Sequence, residues 1–373
     1  MKIAISCYPT FGGSGVVATE LAMALAASGD EVHLISYALP FRLDLVAARL
    51  TFHEVVVPHY PLFDYPPYSL ALATKMVEVA RHYQLDLVHV HYAVPNAVSA
   101  VLARQILDPQ PLKVVTTLHG TDITLVGNDP NYLETTRFGI EKSDAVTAVS
   151  EALKKATIEK ISVRSEIIVV PNFIEPERFD RGRLGGGARS WAKGDEKIIV
   201  HVSNFRPVKR VLDVVEVFHR VRRELAVRLL LVGDGPDRAK VERHCRECDT
   251  CDDITFIGNV ALVEQVLAGA DLFLLPSETE SFGLSALEAM SCEVPVITTN
   301  VGGLPEVVDH GETGLLFDVG DTEAMANGAL ELLRDDRRRL AMGRLGRVRA
   351  IERFSEDRVV ELYRDVYNSV LSR

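Results

Sequence analysis

Short apolar runs alternate with helical stretches through the first part of this chain, and near Glu196 the alternation starts again. The first series reads as strands at KIAISC, EVHLIS, LDLVHVHY, LKVVTTLH and DAVTAVS, with VVATELAMALAASG an amphipathic helix that stops on Gly29. The second reads as strands at EKIIVHVS, VRLLLVG, DITFIG, DLFLLP and VPVITT, separated by helical segments such as LDVVEVFHRVRREL and PDRAKVERHCREC. Strands spaced by helices of this length belong to parallel βαβ units. At 373 residues the chain also exceeds what one hydrophobic core usually supports. The expected class is therefore α/β, with two Rossmann-like, doubly wound parallel-sheet domains facing across a cleft. Between the series, VVPNFIEPERFDRGRLGGGARSW carries Pro171, Pro176 and the Gly185 to Gly187 run of a linker and loop. The expected division is 1–170 and 171–354, with the amphipathic segment 355–373 packing back on the first domain. Doubly wound sheets bind ligands at the carboxyl ends of their strands, which makes the cleft the expected active site.

Composition narrows the partners. With 47% hydrophobic and 25% charged residues and no apolar run near the ~20 residues that span a bilayer, a soluble cytoplasmic protein is expected. MKIAISCYP reads as a first strand and lacks the pattern of a signal peptide. A net charge of −11 disfavours nucleic acid and anionic membrane, so an anionic ligand needs a local basic pocket. Five cysteines without a secretion signal imply reduced thiols. Cys245, Cys248 and Cys251 beside His244 have CxxC spacing but no second ligand pair for a structural zinc, and read as a solvent-facing helix end. Oligomeric state is left open, a homo-oligomer included.

Several loops carry chemistry. In YPTFGGSGVVATE, Gly12, Gly13, Ser14 and Gly15 let backbone N–H groups approach an anion at a helix N-terminus. The spacing is not GxGxxG and HLISYALP lacks a ribose-binding acid, so NAD is not expected. SNFRPVKRVLD brings Arg206, Lys209 and Arg210 to a helix start, where cations oppose the dipole unless they hold an anion such as a diphosphate. TTLHGTDIT places His119 and Gly120 at a strand end, aimed at the cleft. His89 and His91 share one strand face, His89 by packing, and His53, His59, His82, His219 and His310 read as structural or solvated. Finally, SETESFGLSALEAM sets Glu280 and Glu288 eight positions apart, with Phe282 and Gly283 at the helix start between them. Ionised carboxylates only accept hydrogen bonds, and two of them at different depths suit the vicinal hydroxyls of sugar and ribose.

Glu280-x7-Glu288, GDGPDR, FIGNV, VGGLPEVV and HGETGLLF together resemble the retaining, nucleotide-sugar-dependent glycosyltransferases of the two-Rossmann GT-B type, family 4, over nearly the whole chain. Further stretches, CYPTFGGSGVVATELA, LPFRLD, YPPYSLALATKM, HVHYAVPNA, TTLHGTDITLVG, RFGIEKSDAVTAVS and SNFRPVKRV, are similar to one branch of it. That branch moves N-acetylglucosamine from UDP-N-acetylglucosamine to the hydroxyl of L-malate, the first step of bacillithiol biosynthesis. The resemblance implies that Glu288 holds the ribose, Gly258, Asn259 and Val260 border the uracil, and Arg206 and Lys209, with Asn204 nearby, take the diphosphate. It implies that Glu280, with Ser281, Phe282, Gly283 and Leu284, meets the transferred sugar, which His119 faces from the first domain. Gly13, Ser14 and Gly15 would approach the phosphates. No metal or other cofactor is expected, because basic residues replace the divalent ion of DxD-type transferases.

Such an enzyme attacks from the face the nucleotide leaves and needs no protein nucleophile, unlike a retaining glycosidase. Malate carries two carboxylates, so cations or hydroxyl donors are expected in the first domain: by position Tyr92, Thr117 and Arg137, then Arg42. For Arg137 the alternative is an ion pair with Glu134 or Glu141. Two positions depart from the family pattern. Asn204 stands where many relatives carry Arg, and Glu293 replaces the Gly of a Cys-Gly-x-Pro helix exit, at about 1 kcal/mol if the backbone is left-handed there. The alternatives are a transferase with another acceptor, a GT-B UDP-sugar epimerase with acid–base carboxylates, or a phosphorylase using lysine-bound pyridoxal phosphate.

Overall fold

The computed structural model describes residues 1–9, 12–43, 47–58, 61, 64–127, 129–185, 187–247 and 251–373; His59, Gly186 and Cys248 lie outside the described residues. The chain divides into two compact units, Met1–Asn172 with Asp357–Arg373 (unit 1) and Phe173–Glu356 (unit 2).

Unit 1 is built on seven strands: β1 (Lys2–Ser6), β2 (Glu31–Ser36), β3 (Leu50–Glu54), β4 (Leu87–His91), β5 (Lys113–Leu118), β6 (Ala145–Ala148) and β7 (Ile167–Val169). Their order is β3-β2-β1-β4-β5-β6-β7, and every pairing is parallel. The winding reverses between β1 and β4, where Ile3 stands in register with Val32 on one side and Leu87 on the other. Central strands of such a sheet are covered on both faces, which is why β4 is buried along its whole length. The helix Gly13–Ala27 departs from the amphipathic expectation: all but a few of its residues are buried. Its run of Ala, Val and Leu offers no charged face, and its one acid, Glu20, is buried against Arg42 at 2.8 Å. The last helix, Glu356–Leu371, belongs to unit 1 from Asp357 on. Tyr363 and Tyr367 are fully buried, Arg364 reaches Asp30 at 2.6 Å, and the Tyr367 hydroxyl lies 2.7 Å from His89 Nδ1.

Unit 2 holds six parallel strands, β8 (Lys197–Val202), β9 (Val227–Val232), β10 (Ile254–Gly258), β11 (Leu272–Leu275), β12 (Val296–Thr299) and β13 (Gly314–Phe317), in the order β10-β9-β8-β11-β12-β13. Its core sets Phe205, Val214 and Phe218 against Leu229, Leu231 and Leu274. Full burial of a side chain such as Phe218 contributes roughly 1.5–3 kcal/mol. Glu293 is left-handed, with φ of 57°. Among the described residues no helix is long and apolar enough to cross a membrane.

Candidate active site

Because every strand of unit 2 runs the same way, the loops after β8, β11 and β12 leave one edge of the sheet. Backbone and side chains tie them together there. Glu278 N donates to Val208 O at 2.8 Å, and Gly303 N to Glu280 O at 3.0 Å. Lys209 Nζ forms an ion pair with the Glu280 carboxylate, and Ser277 Oγ lies 3.4 Å from the same oxygen, Oε2. Gly302 explains the VGGLPEVV motif: its φ is +54°, and a β-carbon there would stand 1.9 Å from Glu280 O. Gly283, at φ +102°, begins the helix Leu284–Ser291, which carries Glu288 in its second turn, only 6% exposed. Between the two acids Phe282 is buried edge-on to Phe354 at 5.5 Å, which anchors the half-buried Ser281 and Glu280 beside it.

The three cations after β8 differ in their surroundings. Arg206 is exposed and makes no ion pair among the described residues. Lys209 faces Glu280, and Arg210 turns to Asp213 at 2.7 Å, an acid in the first turn of the following helix. Asn204 Oδ1 is buried and has no hydrogen-bond partner among the described residues. His201, which sequence reasoning passed over inside EKIIVHVS, holds this loop in place. Its Nδ1 lies 2.8 Å from Leu274 O, so Nδ1 carries the proton and Nε2 accepts from Ser203 Oγ at 2.7 Å. Burial pushes its pKa down to about 4. Gly258 O accepts from Gly233 N at 2.8 Å, Asn259 is exposed, and Val260 lines a cavity of about 550 Å³ with Trp191, Ile257, Leu262, Gln265 and Val266.

In unit 1 the loops after β1, β4 and β5 share the carboxyl edge. Gly12 caps the helix Gly13–Ala27, whose first N–H groups have no partner within the helix, and Ser14 Oγ meets the Tyr92 hydroxyl at 3.0 Å. The Tyr92 ring lies 5.5 Å from that of His119. His119 Nε2 is 2.8 Å from His91 Nδ1, and burial pushes the His119 pKa down to about 3. Asp122, fully buried, fixes both loops: Oδ1 accepts the N–H of His119 at 3.1 Å and of Gly120 at 2.8 Å, and Oδ2 that of Ala93 at 3.1 Å. Burial raises its pKa against these three bonds.

Two of the four acceptor candidates have other partners in this structure. The Thr117 hydroxyl is fully buried, 2.6 Å from His89 Nε2 and 2.6 Å from Thr147 Oγ1, so it serves the interior of the unit. Arg137 donates from Nε to Ile161 O at 2.8 Å and pairs with Glu134 at 2.7 Å, the alternative that the sequence had offered. Arg42 pairs with Glu20, and Tyr92 alone stands beside His119 and Ser14. Of the cysteines, Cys245 is buried in the core and Cys251 is exposed; among the described residues no group of three or more His, Cys, Asp or Glu is placed to hold a metal. His53 pairs with His33 at 3.0 Å in a structural contact.

Comparison with known proteins adds the lineage. The family model described as Glycosyltransferase Family 4 matches residues 11–178, and that described as Glycosyl transferases group 1 matches residues 188–349. The chain is 47% identical over 372 residues to N-acetyl-alpha-D-glucosaminyl L-malate synthase of Bacillus anthracis, covering 100% of this chain and 97% of that protein. Among solved structures, Anabaena HepE in complex with UDP and glucose superposes with a TM-score of 0.85 at 20% identity, over 99% of this chain and 100% of that one. Sucrose-phosphate synthase of Thermosynechococcus elongatus follows at 0.79 and 23%, over 100% and 99%. With two doubly wound parallel sheets and a relative this similar from end to end, the chain belongs to the family 4 glycosyltransferases of the GT-B fold.

Proposed function

We propose that this glycosyltransferase moves N-acetylglucosamine from UDP-N-acetylglucosamine to the hydroxyl of L-malate with retention, opening bacillithiol biosynthesis. The observation that carries the reading is the knot of loops after β8, β11 and β12, where Lys209 and Glu280 meet beside the exposed Arg206, with Glu288 on the helix that follows. The similarity to the Bacillus anthracis malate synthase supports the choice of donor and acceptor.

In this reading Arg206 and Lys209 take the diphosphate, Glu288 the ribose hydroxyls, and Glu280 the hydroxyls of the transferred sugar. Val260 borders the uracil, and the N-terminus of Gly13–Ala27 attracts the phosphates. The malate hydroxyl attacks the anomeric carbon from the side on which the C–O bond to UDP breaks. Its proton passes to the departing phosphate oxygen, and UDP leaves. The chain's part is to hold both partners and to stabilise charge as it builds on diphosphate and sugar. Incubation with UDP-N-acetylglucosamine, with and without L-malate, tests it: UDP release that depends on malate and yields an α-linked product is expected. UDP-sugar isomerisation without malate would instead make the protein an epimerase.

A further inference from the structure

His91 has no part in the reading above, yet it is fully buried at the end of β4 and touches the one imidazole assigned to the ligand. Its Nδ1 lies 2.8 Å from His119 Nε2, with the rings stacked at 5.0 Å and 26°. Its Nε2 is buried and has no hydrogen-bond partner among the described residues. Burial keeps both rings neutral, so one proton occupies the gap between them.

That proton has two places to be. If it belongs to His119 Nε2, then His91 carries its own proton on Nε2, as a buried N–H without an acceptor. If it belongs to His91 Nδ1, then Nε2 of His91 keeps only a lone pair. Orphaned buried N–H groups are the rarer defect in folded proteins. The second arrangement leaves His119 with its proton on Nδ1, an atom with no partner among the described residues. Asn96 Nδ2, donating to His91 O at 2.7 Å, and Asp122, holding His119 N, fix the backbone on either side.

We propose that His91 is a positioning residue, which fixes His119 in the tautomer protonated at Nδ1 so that His119 presents an N–H donor to an oxygen of the ligand. The inference rests on the transferase reading for its kinetic consequence only. The test is nitrogen NMR of the full chain labelled in histidine, with the His119 signals identified by their loss in His119→Asn. The wild type is expected to show the Nδ1–H pattern for His119. His91→Asn, whose amide N–H sits near the position of Nδ1, is expected to keep that pattern. His91→Phe is expected to lose it and to lower kcat for malate-dependent UDP release at least about tenfold, with His91→Asn recovering most of the loss. An Nε2–H pattern for His119 in the wild type, or a His119 signal unmoved in folded His91→Phe, would overturn the proposal. A wild type with the expected tautomer but no malate-dependent release would overturn the transferase reading and leave the tautomer assignment standing.

Discussion

Lys209 Nζ and the Glu280 carboxylate form an ion pair although one follows β8 and the other follows β11, 71 positions later in the chain. Each offsets the other's charge, and in the proposed site a ligand would give them separate tasks. A diphosphate competes for Lys209 with full negative charge, whereas sugar hydroxyls offer Glu280 donors in exchange.

The two residues should therefore fail differently. Lys209→Ala is expected to weaken UDP binding about tenfold or more, the loss of a charge-assisted bond. Glu280→Gln keeps the shape and should lower kcat about tenfold while UDP affinity moves less than about threefold, because its proposed partner is the sugar that develops charge. Calorimetry with UDP and steady-state kinetics separate the two, and equal losses of UDP affinity in both variants would sink the division of labour.

Glu288→Ala tests the ribose contact. UDP affinity is expected to fall about tenfold while the thermal transition stays cooperative. Unchanged affinity by calorimetry would take Glu288 out of the site.

Glu293 holds a left-handed backbone at φ 57° with a side chain that dislikes it. Glu293→Gly is expected to raise stability by about 1 kcal/mol, measured by urea unfolding, with turnover unaffected. A loss of stability would show that the Glu293 side chain contributes more than its backbone costs.

Acid should loosen the fold from pH 6.5 downward. Burial holds His89 and His119 to about 3 and His201 to about 4, and holds His91 well below its ordinary value. Above 6.5 the folded and unfolded chains both carry these rings neutral. As pH falls through that value the unfolded chain takes up protons that the folded rings refuse, so their contribution is lost progressively toward pH 4 and below. Asp122, raised by burial, acts in the opposite sense, one carboxyl against four imidazoles. The urea midpoint is expected to be lower at pH 5 than at pH 7.5, and equal midpoints would contradict the assignment.

Arg137→Lys is expected to leave the malate KM unchanged, since Arg137 is spent on Ile161 O and Glu134. A tenfold rise in KM would return Arg137 to the acceptor site.

Ten of the strands were legible as apolar runs, and the three that were not, β3, β7 and β13, all lie at sheet edges. An edge strand has one neighbour and one open side, so its residues need not be uniformly apolar, and LTFHE and IIV are half-exposed in places. Loop residues such as Glu280 and Lys209 could be picked out by charge against an apolar flank. Their pairing could not, because it depends on two strands being neighbours in the sheet. Thr117 shows the opposite limit. Its place before the His119 loop suggested a ligand donor, but the last position but one of β5 points its hydroxyl to His89 and Thr147 inside the unit.

The return of the chain to unit 1 at Asp357 sets an order of events during synthesis. Unit 2 is complete in sequence by Glu356, before the stretch Asp357–Arg373 that returns to unit 1. Unit 1 begins first and finishes last: Tyr363 and Tyr367, which cover His89 and through its neighbour His91 back the His119 loop, emerge only after every residue of unit 2. Until then the first sheet exposes the apolar ground those tyrosines will occupy, and a chain cut short of Tyr363 would leave unit 2 complete in sequence and joined to a unit 1 that lacks its backing.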